Sequence, residues 1–175
     1  MNELKLFAVM LGGNPPGAGV EVHDVVFAVG STLEATREQL RAAWFAGGKP
    51  PHVDSWMVLD VVDGVRIVVA NEPVAPGAPD LWHVNLGYYE TGDASFFEGH
   101  ENLFVIATSA DDAKAKAKQK ATRAPRDRLH TDALHRVSDR LAALGSPYRI
   151  QLTQLAGSAG EAQAVAHDGY LPFLA

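Results

Sequence analysis

"VHDVVFAVGSTLEATREQLRA" (Val22–Ala42) and "GHENLFVIATSADDAKAKAKQ" (Gly99–Gln119) decide how this chain is organised. Laid over each other 77 positions apart, they match His23 to His100 and Phe27 to Phe104. The neighbouring blocks keep the same order. "KLFAVMLGG" (Lys5–Gly13) lies over "DLWHVNLGY" (Asp80–Tyr88) at 75 positions, and "HVDSW" (His52–Trp56) over "HTDAL" (His130–Leu134) at 78. "VRIVV" lies over "YRIQL" at 83, matching Arg66 to Arg149. A separation that only grows along the chain is expected of a duplicated unit that has collected loop insertions.

Each copy reads as strand, strand, helix, strand, strand. Leu6–Leu11 and Leu81–Leu86 are short apolar strands ending at glycine, and the loops after them ("GGNPPGAG", "GYYETGDASFFEG") are rich in turn formers. Val25–Val29 and Leu103–Ala107 are β-branched and aromatic, as buried strands are. Ser31-x-x-Glu34 and Thr108-x-x-Asp111 resemble capping boxes that start a helix at once. In the first helix Leu33, Thr36, Leu40 and Trp44 recur at helical spacing and face inward. In the second, Ala110, Ala113, Ala117 and Ala121 form a small-residue face. The lysines of "KAKAKQK" scatter around the axis as a solvated coat, not a nucleic-acid stripe. Trp56–Val62 and Val65–Ala70 are expected as strands joined at Asp63-Gly64, a strong hairpin signal. The second copy is expected to hold a strand near Leu134–Val137 and a helical turn before Tyr148–Leu152. Leu134, Val137, Leu141 and Leu144, followed by Gly145 and Pro147, would also satisfy a helix.

The fold class that follows is α+β, built from internally duplicated β-β-α-β-β units with the helix on one sheet face. The expected boundaries are 1–70 for the first repeat, 71–79 for a linker, 80–155 for the second repeat and 156–175 for a C-terminal strap, packed as one body. One helix covers only one face of each sheet, and Val25–Val29 is apolar on both. Pseudo-twofold packing of the halves, or a homodimer, would cover the other.

Composition narrows the function. The 175 residues are 47% hydrophobic and 21% charged, as in a soluble globular protein. A net charge of −6 argues against a nucleic-acid partner. With no cysteine there is no disulfide, thiolate metal site or cysteine nucleophile. The apolar run Leu6–Leu11 is too short to span a membrane and lacks a basic start, so the expected address is cytoplasmic.

The histidines are the candidates for chemistry. Adjacent strand residues face apart, so His23 with Asp24, and His100 with Glu101, are not expected to be couples. His52-x-Asp54 and His130-x-Asp132 are different, because residues two apart share a face. There a carboxylate can fix the imidazole tautomer or share a metal with it. A polar or ligand site built from His52, Asp54, His130 and Asp132, with His23 and His100 in range, suits a divalent metal such as zinc, manganese or iron. No closed metal motif is present, and no cofactor is implied. The plainer reading is that these pairs bond backbone groups at the repeat joints. His167-Asp168 lacks the continuation of the other pairs and reads as coincidence. "GYLPF" (Gly169–Phe173) reads as a docking strap, and Trp44, Trp56 and Trp82 as core or interface aromatics.

The doubled "LFAVMLGG…EVHDVVFAVGSTLEATREQLRAAWF" and "LWHVNLGYY…GHENLFVIATSADDAKAKAK", each followed by H-x-D, resembles the uncharacterised bacterial family catalogued as domain of unknown function 1543. The resemblance implies a bacterial cytosolic protein of duplicated architecture and lends no activity. The second copy departs from the pattern at "DRLAALGSP" (Asp139–Pro147). Two functions are expected to compete: a non-catalytic small-ligand or protein-interaction module that self-associates, and a histidine–carboxylate enzyme, metal-dependent or not, with its site on the pseudo-twofold.

Overall fold

The apolar run that opens each copy becomes the centre of a three-stranded antiparallel core. β1 (Lys5–Gly13) lies between β2 (Val22–Gly30) and β3 (His52–Val58). β6 (Asp80–Tyr88) lies between β7 (Gly99–Ala107) and β8 (His130–Arg136) in the same order. The computed structural model describes residues 3–75, 77–90, 96–155 and 165–172. Parts of the expected linker (76), second-copy loop (91–95) and strap (156–164, 173–175) lie outside the described residues. Among the described residues are ten strands and three α-helices, a mixed α/β chain, and no helix is long and apolar enough to cross a membrane.

Because β2 and β3 both run antiparallel to β1, they are parallel to each other, and a helix spans the crossover between them. The first crossover is a 3-10 turn (Glu34–Thr36) running into α1 (Arg37–Ala43); the second is α2 (Ala110–Lys120). α2 starts one residue later than the capping pattern suggested, behind Ser109, whereas in the first copy the 3-10 turn starts behind Leu33 and α1 behind Thr36. Thr32 Oγ1 accepts from Ala35 N–H at 3.2 Å and Ser109 Oγ from Asp112 N–H at 3.2 Å, again 77 positions apart. Thr36 and Leu40 are fully buried, and Leu33 and Trp44 pack against the core of Phe7, Val9, Leu11, Val26 and Val53. In the second copy Ala113 and Ala117 are fully buried against Trp82, Val84, Leu86 and Val105. An alanine face brings helix and sheet close, so enlarging Ala117 would cost about 1–3 kcal/mol of overpacking.

The same positions fasten both helices to their sheets. Gln39 donates to Val29 O (2.7 Å) and accepts from Val29 N–H (2.9 Å). Its counterpart Lys116 donates to Ile106 O, the equivalent carbonyl, at 2.8 Å. Lys118 likewise reaches Leu129 O at 2.7 Å, so these two lysines are not the solvated coat expected of them. Their ammonium groups satisfy carbonyls the sheet leaves free.

Past the crossover the copies diverge. The strand expected over Trp56–Val62 breaks: β3 ends at Val58, and β4 (Val61–Val62) begins a second sheet with β5 (Val65–Ala70). Leu59 N–H still reaches Leu6 O while Ile67 N–H reaches Asp60 O, so the chain leaves one sheet and enters the other at residues 59–60. The turn stands at Asp63-Gly64, both at positive φ (53° and 72°), the type I′ geometry that this dipeptide favours. In the second copy the strand covers His130–Arg136, and α3 (Val137–Ala143) follows without a gap. Val137 and Leu141, one turn apart, are its buried face. The helix ends in a Schellman pair, Ser146 N–H to Leu141 O and Gly145 N–H to Ala142 O, with Gly145 at φ 72°. A helix therefore replaces the short strand β4 of the first copy.

β9 (Arg149–Gln154) then pairs antiparallel with β5. The register is reciprocal: Arg66 faces Thr153, and its counterpart Arg149 faces Ala70. This exchange means that the compact units do not follow the repeat boundaries. One unit is Met1–Glu72 with Arg140–Ala175; the other is Pro73–Asp139. In the first unit β10 (His167–Leu171), within the expected strap, adds to the outer edge of β3.

Candidate functional site

Register decides which side chains meet. Gly12 on β1 is paired with His23 on one side and His52 on the other. Gly87 on β6 is paired with His100 and His130 in the same way. Residues directly opposite in antiparallel strands project from the same face, so each glycine has an imidazole on either side. Glu21 and Glu98 stand two residues before His23 and His100, which brings their carboxylates to that face. Asp54 and Asp132 arrive by a bulge. The pairing of β1 with β3 jumps from Leu11↔Val53 to Met10↔Ser55, leaving Asp54 as the extra residue. Asn85↔Ala133 and Leu86↔Thr131 leave Asp132 in the identical position. Bulges re-aim side chains, and both here aim a carboxylate at the histidines.

The product in the first unit is a ring of alternating imidazole and carboxylate. His23 Nε2 lies 3.1 Å from Asp54 Oδ2, and His52 Nε2 lies 3.0 Å from Asp54 Oδ1. His52 Nε2 is 3.0 Å from Glu21 Oε1 and His23 Nε2 is 3.7 Å from Glu21 Oε2. In the second unit His100 Nε2 lies 3.2 Å and His130 Nε2 3.3 Å from the two oxygens of Asp132. His130 Nε2 is 2.5 Å from Glu98 Oε1 and His100 Nε2 is 3.6 Å from Glu98 Oε2. Each carboxylate thus turns one oxygen to each imidazole. Glu98, His100 and Asp132 offer ligand atoms that all lie within 4.8 Å of one another.

Glycine leaves the room for this. A Cβ on Gly12 would overlap Asp54 Oδ2 and come 2.8 Å from His52 Nε2. One on Gly87 would overlap Asp132 Oδ2 and come 2.5 Å from His130 Nε2 and 3.0 Å from Glu98 Oε1. The nitrogens do not act as well-aligned hydrogen-bond donors. Asp54 Oδ2 and Glu98 Oε1 are buried and accept no hydrogen bond of good geometry, although an Nε2 lies 3.1 Å and 2.5 Å away.

An aromatic ring stands over the second histidine of each set. Tyr170 of β10 lies over His52 with centroids 4.2 Å apart, and Tyr89, just past β6, stacks on His130 at 6.0 Å. The phenol of Tyr89 has its pKa raised, chiefly by its hydrogen bond to Glu98 and then by that carboxylate's charge.

All six residues singled out in the sequence lie in these rings. His52, Asp54 and His23 meet in the first unit; His130, Asp132 and His100 meet in the second. Each ring closes within its own unit. Asp24 is no partner of its neighbour His23; it lies 3.7 Å from Arg140. Glu21 and Glu98 were missed, although E-x-H has the same two-residue spacing that singled out H-x-D. His167 stacks on Trp56 at 4.0 Å and Asp168 pairs with Ser55, so this couple joins neither ring. Trp82 is buried with its Nε1–H on Ala107 O, and Trp44 and Trp56 pack against the first core.

A family model described as Domain of Unknown Function (DUF1543) matches residues 18–69 and 95–143. The chain belongs to that family. Each matched segment holds one complete ring: Glu21, His23, His52 and Asp54 in the first, Glu98, His100, His130 and Asp132 in the second. A solved structure, the crystal structure of a protein Il1583 from Idiomarina loihiensis, is similar along nearly the whole length. It is 29% identical, with a TM-score of 0.69 over 98% of this chain and 99% of that one. The search of curated proteins found no match.

Proposed function

We propose that this chain is a metal-binding module that holds one divalent transition-metal ion in each repeat. The observation that carries the reading is the pair of rings, two imidazoles and two carboxylates over a glycine, assembled twice with the same register and the same bulge. Metal bonds of about 2.1 Å at right-angle to tetrahedral spacing separate neighbouring ligands by roughly 3.0–3.4 Å. Most of the nitrogen–oxygen separations in both rings are close to that interval.

Charge points the same way. With its histidines neutral, each ring carries two negative charges, partly removed from water, and a dication offsets both. The poorly aligned contacts at Asp54 Oδ2 and Glu98 Oε1 suit lone pairs that converge on a cation better than oxygens that accept protons from imidazole. Imidazole with carboxylate selects zinc, manganese or iron over calcium or magnesium.

The test is elemental analysis of the full chain after dialysis against zinc and then against metal-free buffer. The expected ratio is two ions per chain, falling to one in His23→Ala/His52→Ala and to one in His100→Ala/His130→Ala. A wild-type ratio near zero sinks the reading.

A further inference from the structure

The two rings have the same ligands but unequal surroundings, and the inequality lies in one histidine of each. The His52 side chain is 12% exposed, whereas its counterpart His130 is 45% exposed. The other counterparts differ less: 46% against 43% for His23 and His100, 29% against 32% for Asp54 and Asp132, and, in the opposite sense, 36% against 24% for Glu21 and Glu98.

The covering element is β10. It pairs with the outer edge of β3, His167 opposite Trp56 and Asp168 opposite Ser55, and the register then slips so that Leu171 meets Val53. The slip falls beside the bulge at Asp54. Gly169 sits inside it at φ 132°, a conformation that side chains rarely adopt. That bend lays the Tyr170 ring on His52, with Tyr170 as a whole still 66% exposed. In the second unit β8 pairs with β6 alone among the described residues. There the covering aromatic is Tyr89, at the longer distance of 6.0 Å, 61% exposed, with its phenol on Glu98.

Building on the metal reading, we infer that the two centres exchange their ions at different rates, because the terminal strand β10 closes the first with Tyr170 and leaves the second open to solvent and to an external ligand. A ligand must detach and admit water or a competing donor before an ion leaves. A ring packed on the imidazole of His52 blocks that path and fixes the imidazole plane. Groups packed around a metal's ligands commonly change affinity about 10–100-fold. The first centre is then a holding site, and the second is the one where an exogenous oxygen or nitrogen donor meets the metal.

The experiment mixes full-length, zinc-loaded protein with excess 4-(2-pyridylazo)resorcinol and follows the coloured complex by stopped flow. Wild type is expected to release two ions in two phases of equal amplitude, about tenfold or more apart. His52→Ala/Asp54→Ala removes the slow phase, and His130→Ala/Asp132→Ala removes the fast one. Tyr170→Ala, an exposed position, speeds the slow phase to within about threefold of the fast one, while Tyr170→Phe, which keeps the ring, leaves it slow. A single phase of double amplitude in wild type overturns the inference and leaves the metal reading standing. So does a slow phase that Tyr170→Ala does not change. Protein that takes up no zinc overturns both.

Discussion

Replacing Gly87 by alanine tests whether the second ring is built around the space that glycine leaves. The added Cβ would overlap Asp132 Oδ2 and stand 2.5 Å from His130 Nε2 and 3.0 Å from Glu98 Oε1. Non-bonded heavy atoms settle near 3.5 Å, so these three ligands must retreat by roughly 0.5–1.2 Å. A metal site keeps its ligand distances to within about 0.2 Å, so the retreat is several times what the bonds allow. Zinc affinity at this centre should fall at least ~100-fold, about 2.7 kcal/mol. The strain itself should cost the metal-free protein about 1–3 kcal/mol. Isothermal titration of the metal-free full chain reads both centres at once: wild type takes up two equivalents and Gly87→Ala one. Gly12→Ala removes the other centre by the same overlap with Asp54 and His52. Gly19→Ala, where nothing lies within 4 Å, changes neither. Two tight equivalents in both Gly87→Ala and Gly12→Ala would refute the reasoning, whatever their melting temperatures.

Further outcomes follow from the elements that position the rings. Ser109→Ala removes the acceptor for Asp112 N–H and should cost about 1 kcal/mol, seen as a lower urea midpoint with metal content unchanged. Gln39→Ala leaves Val29 without its two side-chain bonds, a loss of roughly 1–3 kcal/mol by the same measurement. The Asp112 carboxyl is held below its ordinary value, first by its bond to Lys116 and then by Thr108 N–H. A depressed carboxylate stabilises the fold above its unfolded-state pKa and loses that contribution as pH falls through the folded-state value. Asp112→Asn should therefore flatten the acid limb of the stability curve, read from melting temperatures measured between neutral pH and about pH 2.

Much of the fold was legible because duplication repeats its signals. Matching His23 to His100 and Lys5–Gly13 to Asp80–Tyr88 anticipates two sheets of one register, and the structure pairs them alike. Asp63-Gly64 announced its turn because few dipeptides tolerate positive φ at both positions. The break at Leu59 was hidden because the run Trp56–Val62 is apolar but for Asp60. Nothing local says that the chain changes sheets there; only the long-range partners Leu6 and Ile67 do. Periodicity could not separate strand from helix over 132–144, because Leu134 and Val137 suit the strand while Val137 and Leu141 suit the helix. Both elements exist, end to end.

The candidate site was legible in its histidines and hidden in its closure. Alternation separated His23 from Asp24 and kept His52 with Asp54, but it said nothing of what brings His23 to Asp54. That depends on Gly12 lying between β2 and β3, and on a bulge no residue type announces. Glu21 and Glu98 were readable by the two-residue rule, had it been applied upstream of each histidine as well as downstream.

The most direct measurement is an anomalous difference map at the zinc edge from crystals of the zinc-loaded full chain. The account predicts two peaks per chain, one ringed by Glu21, His23, His52 and Asp54, the other by Glu98, His100, His130 and Asp132. Each peak should lie about 2.0–2.2 Å from its ligand atoms. A map without a peak at either ring, or with zinc only at other side chains, would contradict it.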